Sequence, residues 1–279
     1  MFRLQQGYRA IREQVHGTLF LKRQLPRYRH RTPLFQHVNI QTNNRCTRRC
    51  PFCYHGLVKA ITPCFISEEL FQKTIQELHD LDFSGRVSLY EMNEPLTDKR
   101  IFALLRYTRD YLPQTLLFLA TNGDLLTESV GQALFDNGLD LLHVNSYDPA
   151  ALARNASIVR NLRRQGHRVI HIPQLFKRGW RSRAGHLRQH YQSPVKAPCE
   201  LVYKQIVIKP DGTVCSCSHD FFNQNEMGNV AATSLKAIWF GEKFERLRHR
   251  LADGRRSQAS LCRQCDYKGY GDHIRIKRL

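Results

Sequence analysis

The chain has 279 residues, 42% of them hydrophobic, and its 43 Lys and Arg against 24 Asp and Glu give a net charge of +19. This length accommodates one large domain with an appendage, or two domains. No apolar run approaches the roughly 18 residues that a membrane span needs. The first ten residues carry charge without an apolar core behind them, which argues against a secretory signal. We therefore expect a cytoplasmic protein in which the spacing of the nine cysteines indicates metal binding rather than disulfides.

The basic balance indicates either a solvated surface or an anionic partner, such as an acidic peptide or a phosphorylated substrate. Residues 1–36 form a basic arm in which Tyr8, Phe20 and Tyr28 are interleaved with arginines. Such an arm can contact nucleic acid. More often its aromatic rings pack on the domain while the charges are solvated, so we do not expect nucleic acid as a partner.

A short strand precedes three thiols at fixed spacing. Residues 37–43 alternate apolar and polar, and Cys46, Cys50 and Cys53 follow. A loop this short supplies three soft ligands to one metal centre, which selects zinc, Cu(I) or an iron–sulfur cluster. Zinc would complete its tetrahedron with a histidine such as His55. A four-iron cluster would keep one iron open. Spacing alone does not separate these alternatives.

The next 120 residues alternate between helix and strand patterns. Helices are predicted over residues 67–81, 99–111, 127–137 and 150–165, and strands over residues 86–90, 116–120, 141–145 and 168–172. Such alternation predicts βαβ units around a parallel sheet. Functional residues are then expected where the strands end.

A second group of cysteines lies near the C-terminus. Strands over residues 206–208 and 213–215 flank the turn Pro210-Asp211-Gly212, which predicts a β-hairpin. A hairpin cysteine pair with a distant Cys-x-x-Cys makes a four-ligand site for zinc or iron–sulfur.

At the first cysteine loop the sequence resembles the radical S-adenosylmethionine (SAM) superfamily. The motif Cys-x-x-x-Cys-x-x-Cys follows the first strand, and the aromatic Phe52 precedes the third cysteine. The resemblance implies an α/β fold, a partial (β/α)6 TIM-like barrel. It also implies a [4Fe–4S] cluster held by Cys46, Cys50 and Cys53, with SAM on the open iron. Reductive cleavage of SAM would give a 5′-deoxyadenosyl radical that removes a substrate hydrogen.

Four later segments resemble SAM-binding segments of that superfamily, at residues 93–96, 119–126, 144–148 and 181–185. Met92 stands where the superfamily has a glycine, and Asn93 replaces a second glycine. The resemblance implies SAM-binding roles for Asn93, Glu94, Asn122, Ser146 and Arg183: Glu94 at the amino group, Ser146 near the ribose, and Arg183 at the carboxylate. Taken singly, Asn122-Gly123 is also a generic turn, and Arg183 is also readable as a surface charge.

The C-terminal pattern resembles the auxiliary-cluster domain called SPASM, in its shortened "twitch" version with one [4Fe–4S] cluster. The resemblance implies Cys199, Cys217, Cys262 and Cys265 as ligands. The expected division is a basic arm at 1–36, a radical SAM partial barrel at 37–190, and a β-hairpin plus helix auxiliary domain at 191–279. Cys64 and Cys215 are left over; they are buried small residues or, as a more speculative role, hydrogen donors to a substrate radical. A third alternative for Cys215, two residues from Cys217, is a substitute cluster ligand.

Three functions are compatible with this pattern. The first is a radical SAM maturase that modifies a ribosomally made peptide, in which the basic surface holds an acidic precursor. The alternative is a small-molecule dehydrogenase, similar to the aminocyclitol dehydrogenases, in which the auxiliary cluster accepts the electron. A non-enzymatic zinc module on nucleic acid is the third. Either enzyme would need a flavodoxin- or ferredoxin-like electron donor.

Overall fold

The computed structural model describes residues 23–173, 182–187, 195 and 197–267. The chain divides into two compact units. The sheet unit comprises residues 35–179 and 205–238, and the second unit comprises residues 1–34, 180–204 and 239–279. Most of the predicted basic arm and Arg181 of the predicted 181–185 segment lie outside the described residues.

Eight strands form one sheet in the order β5-β4-β3-β2-β1-β6-β7-β8. Their bounds are β1 His37–Ile40, β2 Arg86–Ser88, β3 Leu116–Thr121, β4 Leu141–Ser146, β5 Val169–Pro173, β6 Gln205–Ile208, β7 Thr213–Cys215 and β8 Glu226–Asn229. Strands β1 to β6 pair in parallel, whereas β7 pairs antiparallel with β6 and with β8. The predicted parallel sheet is confirmed.

The described part of the chain also contains helices, several of which lie between consecutive parallel strands. Their bounds are α1 Leu25–His30, α2 Tyr54–Leu57, α3 Glu68–Asp80, α4 Ile101–Tyr111, α5 Glu128–Asp136, α6 Pro149–Arg164, α7 Leu235–Trp239 and α8 Glu242–Ala252. The N-caps are those the sequence chemistry favours, because Ser67, Thr127 and Asp148 each accept a hydrogen bond from a backbone N–H of the first turn. Gly138 and Gly166 adopt positive φ where α5 and α6 end.

The predicted hairpin belongs to the same sheet as the barrel strands. Strand β6 pairs in parallel with β1 along its whole length, from His37↔Gln205 to Ile40↔Ile208. We expected this hairpin within the 191–279 domain, but the sheet unit contains it. Strand β8 escaped prediction because its sequence, Glu-Met-Gly-Asn, shows no apolar alternation.

The two faces of the sheet differ in chemistry. One face carries Val38 and Ile40 of β1 and the aligned apolar residues of β2 and β3, all nearly inaccessible to solvent. The other face carries Asn39 of β1, Ser88 of β2, His143 of β4 and Gln205 of β6, which are buried and polar. Since side chains alternate along a strand, the apolar face packs the core. The polar face is then available for chemistry.

The second unit has an aromatic core around a buried arginine. The Arg248 guanidinium lies 4.1 Å from the Trp239 ring centroid and 4.9 Å from that of Phe244. Burial lowers the pKa of Arg248 to about 10. Tyr28 of the basic arm stacks on Tyr203 with ring centroids 5.3 Å apart. Tyr28 of the arm therefore packs on the protein, which is the more common of the two roles expected for such an aromatic residue.

Within the described residues, none of the helices combines the length and the apolar character needed to cross a membrane.

Candidate active site

The loop after β1 brings the first three cysteines together. The backbone N–H of Cys53 donates to the carbonyl of Cys50 at 3.0 Å, and that of Arg48 donates to the Cys46 sulfur at 3.4 Å. A Cβ on Gly56 would lie 2.1 Å from the Cys50 carbonyl oxygen, so the loop needs glycine there. Burial, and after it the neighbouring cysteines, raise the pKa of the Cys46 thiol to about 11 and that of Cys50 to about 12. The three thiols therefore lie within one another's electrostatic field.

The donor set of this loop fits an iron–sulfur cluster. Cys46, Cys50 and Cys53 form no disulfide and are partly exposed. No three His, Cys, Asp or Glu side chains in the described part of the chain are already arranged as a metal site, so the fit rests on donor chemistry. The buried His55 places Nε2 2.8 Å from the Met92 carbonyl oxygen, a bond that a zinc-binding histidine can also make, so His55 does not separate zinc from an iron–sulfur cluster. Three soft donors without a fourth are what a four-iron cluster with an open iron needs.

Arg48 ties the cysteine loop to the ends of two strands. Its Nε donates to Asp124 at 2.6 Å and its Nη1 donates to Asp148 at 2.8 Å. Asp124 follows β3, and Asp148 follows β4 and caps α6 through the Ala151 N–H at 2.7 Å. Burial works against ionisation of Asp124, but the bonds from Arg48 and Thr47 outweigh it and lower its pKa. The loop is thus fixed to the C-terminal edge of the sheet.

Asn122, which follows β3, also contacts this loop, and its backbone is bonded to Glu94. The Glu94 carboxylate is 1% exposed and accepts from the Leu96 N–H at 3.1 Å, the Thr121 hydroxyl at 2.7 Å and the Asn122 N–H at 2.7 Å. Burial raises its pKa to about 7. Asn122 Nδ2 donates to the Thr47 hydroxyl at 2.9 Å and to the Cys46 sulfur at 3.7 Å. Both side chains therefore have a supporting role, and their SAM-binding roles stay predictions.

The other predicted SAM residues have varied surroundings. Phe52 is buried with its ring centroid 5.6 Å from that of Tyr147. The Asn93 Oδ1 accepts from the Glu91 N–H at 2.9 Å. Ser146 is fully buried and its hydroxyl lies 2.8 Å from His171 Nε2. Arg183 belongs to the second unit and adopts φ 51°. Its pairing with the SAM carboxylate stays a prediction.

Three of the four predicted auxiliary ligands lie in the second unit. Cys199 and Cys265 are buried, and Cys262 begins a 3-10 turn. Burial raises the pKa of Cys265 to about 11, with Arg256 lowering it and Cys199 raising it. Cys217 follows β7 in the sheet unit, so its assignment rests on the sequence pattern.

A buried arginine holds the segments that carry these thiols. Arg256 is 3% exposed and donates to the carbonyl oxygens of Ala197 at 2.7 Å, Pro198 at 3.2 Å and Tyr267 at 2.6 Å. These carbonyls flank Cys199 on one side and Cys265 on the other. Arg256 therefore positions two thiols without itself binding metal.

We expect Arg256→Ala to lower the free energy of unfolding by about 3 kcal/mol, because several buried carbonyls lose their donor. Bound iron should fall toward about four per chain, from the eight of two four-iron clusters. Chemical unfolding and iron analysis check both values. Arg255→Ala is the control, since Arg255 is exposed and its side chain pairs with the exposed Asp253. Equal losses in the two variants would contradict the role of Arg256.

The two spare cysteines differ in environment. Cys64 is partly exposed, and its N–H donates to Asn44 Oδ1 at 2.8 Å. Cys215 is fully buried, its thiol donates to Asn223 Oδ1 at 3.3 Å, and burial raises its pKa to about 12. Neither environment activates a thiolate. Their hydrogen-donor roles stay predictions.

Sequence reasoning missed Asn39, Arg48 and Glu91. Asn39 Nδ2 donates to Glu91 Oε2 at 2.6 Å on the polar face of the sheet. The available signal was the polar alternation of β1, His-Val-Asn-Ile-Gln, which places polar residues opposite the apolar core.

Comparison with known proteins agrees with this site. A family model described as the SPASM iron–sulfur cluster-binding domain matches residues 199–266. The S-adenosyl-L-methionine-dependent 2-deoxy-scyllo-inosamine dehydrogenase of Niallia circulans is 26% identical over 84% of this chain and 93% of its own length. The crystal structure of BtrN in complex with AdoMet and 2-DOIA superimposes with a TM-score of 0.76, at 26% identity over 84% of this chain and 94% of that one.

A more distant structure shares the fold alone. The anSMEcpe structure with bound AdoMet is 14% identical and covers 84% of both chains, with a TM-score of 0.57. Together these similarities confirm the partial-barrel fold, the enzymatic character and the SAM and iron–sulfur cofactors expected from the sequence. They set aside the non-enzymatic zinc module. The chain is a radical SAM oxidoreductase that carries a SPASM-type iron–sulfur domain.

Proposed function

We propose that this enzyme is a dehydrogenase that oxidises a secondary hydroxyl of a small polyhydroxylated ring, of the aminocyclitol type, to a ketone. The observation that carries the proposal is the similarity to the inosamine dehydrogenase, which extends over 93% of that enzyme. It supports the small-molecule alternative over the modification of an acidic precursor peptide. The basic net charge is then a property of the surface, and a flavodoxin- or ferredoxin-like protein is the proposed electron donor.

The cofactors supply the radical chemistry, and the cysteines of the chain hold the clusters. When bound, SAM and the two clusters supply a 5′-deoxyadenosyl radical that removes a hydrogen atom and an acceptor for the remaining electron. Cys46, Cys50 and Cys53 would hold the first cluster; Cys199, Cys217, Cys262 and Cys265 would hold the second. The substrate alcohol loses one hydrogen atom, one proton and one electron to become the ketone.

The sheet unit supplies positioning. Arg48 and Asn122 hold the loop of the first cluster against the ends of β3 and β4. The polar face of the sheet offers the hydrogen-bonding groups that a polyhydroxylated ring needs. Because these groups are buried, a ring bound there would be shielded from water, which protects a radical from side reactions.

The test is anaerobic turnover of 2-deoxy-scyllo-inosamine with SAM and a chemical reductant. We expect one ketone, detected by mass spectrometry as the loss of two hydrogens, for each 5′-deoxyadenosine. A reaction without reductant is the control. Formation of 5′-deoxyadenosine at the same rate with and without the ring, and no ketone, would overturn the proposal.

A further inference from the structure

The polar face of the sheet unit contains three neighbouring positions of unusual chemistry. Asn39 and Gln41 are 5% and 4% exposed and lie two residues apart, on the same side of β1 and its continuation. The backbone ladder continues through Gln41, whose N–H donates to the Ile208 carbonyl at 2.9 Å. Ser88, fully buried, is directly opposite Asn39 in the parallel register of β1 and β2.

Each of these three residues has a buried oxygen that lacks a protein partner. Asn39 Oδ1, Gln41 Oε1 and Ser88 Oγ have no hydrogen-bond partner within the described part of the chain. Buried polar atoms in native proteins are nearly always hydrogen-bonded, because an unmade bond costs the full desolvation of the group. Three such atoms at adjacent positions of one sheet face indicate that a polar ligand completes their bonding.

A carboxylate is held beside them. Glu91 is partly exposed, and its Oε2 accepts from Asn39 Nδ2 at 2.6 Å and from the Ser218 hydroxyl at 3.4 Å. Gln205 Nε2 in turn donates to Ser218. Since a carboxylate only accepts, the bond to Glu91 fixes the orientation of the Asn39 amide, and its oxygen is the atom left for a ligand.

This face carries a positive group, Arg86, as well as the Glu91 carboxylate, and the two interact electrostatically. Arg86, at the start of β2, stacks on the Phe118 ring at 5.1 Å from the centroid. Glu91 lies beyond the other end of β2. A carboxylate and two amide oxygens form an acceptor-rich site, and a protonated amine, with three N–H donors and a positive charge, is its chemical complement.

We propose that Glu91, together with Asn39 and Gln41, binds the protonated amino group of the substrate and thereby selects an aminated ring over a purely hydroxylated one. The Ser88 hydroxyl is placed to bond a ring hydroxyl beside it. This inference rests on the proposed function and adds the residues that decide its specificity.

Equilibrium binding without reductant tests the inference apart from turnover. The reconstituted enzyme with SAM is titrated with 2-deoxy-scyllo-inosamine and with the analogue that has a hydroxyl in place of the amine. The wild type should prefer the amine about tenfold, as expected for a hydrogen bond between charged groups. Glu91→Gln should remove the preference by weakening amine binding, and leave the affinity for the hydroxyl analogue within about twofold. Glu68→Gln, on the exposed first turn of α3, is the matched control and should keep the preference.

A second variant keeps the inference testable if Glu91→Gln does not fold. Gln41→Met replaces a buried acceptor that lacks a protein partner by an apolar group of similar length. Its melting temperature should equal or exceed that of the wild type, because Oε1 has no partner in the described part of the chain. Amine binding should weaken in it as well.

Each remaining outcome overturns the inference in a distinguishable way. If the wild type binds both rings equally and still forms ketone, the proposed function stands and the amine site is wrong. If Glu91→Gln loses SAM affinity while keeping the amine preference, the carboxylate serves the cofactor instead. If neither ring binds or reacts, the proposed substrate class fails and the inference fails with it.

Discussion

Replacing Cys46, Cys50 and Cys53 together by alanine should abolish 5′-deoxyadenosine formation and lower bound iron from about eight to about four per chain. The three thiols lie in one loop, close enough to raise one another's pKa, and they belong to a different segment from the second cysteine set. Loss of the first set should therefore leave the second loaded. Iron analysis and chromatography of the SAM cleavage products measure the two effects separately.

Cys64→Ala is the control for that experiment. Its thiol is partly exposed, and its N–H bonds to Asn44 rather than to the cysteine loop. It should keep the full iron content and the full rate of SAM cleavage. If the triple variant still makes 5′-deoxyadenosine, the assignment of the first three ligands is wrong.

The sequence was sufficient for the parallel sheet because the periodicities of its elements are strong. Helix α3 was expected over residues 67–81 and is found at Glu68–Asp80, since Ser67 caps it and Phe71, Ile75 and Leu78 share its buried side. Strand β3 was expected over residues 116–120 and is found at Leu116–Thr121. Helix and strand periodicities depend on residues that are close in sequence, so they can be predicted from the sequence alone.

Contacts between segments that are distant in sequence could not be predicted in this way. Nothing local in residues 205–208 says that β6 pairs in parallel with β1, which is more than 160 residues earlier. The bond between Asn39 and Glu91 likewise joins two residues whose spacing matches no motif. Motifs gave the cysteine sets, but the residues that support them, such as Arg48 and Arg256, are surrounded in sequence by other arginines. Only the fold distinguishes a buried arginine from its solvated neighbours.

Arg48 and Arg49 are neighbours in sequence, but Arg48 is partly buried and ion-paired whereas Arg49 is exposed. We expect Arg48→Ala to slow SAM cleavage about 100-fold, because a small misplacement of a reacting group has an effect of that order. Arg48 alone links the loop between Cys46 and Cys50 to both Asp124 and Asp148 among the described residues. The free energy of unfolding should also fall, by about 2 kcal/mol, since hydrogen bonds between charged groups are lost. Single-turnover SAM cleavage and chemical unfolding measure these effects.

Arg49→Ala is the matched control, with the same side chain one residue later. Arg49 is exposed, and among the described residues its side chain donates to the nearby carbonyl oxygens of His55 at 3.2 Å and Val58 at 3.0 Å. Arg48→Lys should cleave SAM at a rate between those of the wild type and Arg48→Ala, because lysine keeps the charge but not the bidentate bond to Asp124.

The double variant Asp124→Asn with Arg48→Ala should lose less free energy of unfolding than the sum of the two single variants, as expected for groups in contact. If Arg48→Ala and Arg49→Ala slow SAM cleavage equally, the link from the cluster loop to β3 and β4 does not position the reacting groups.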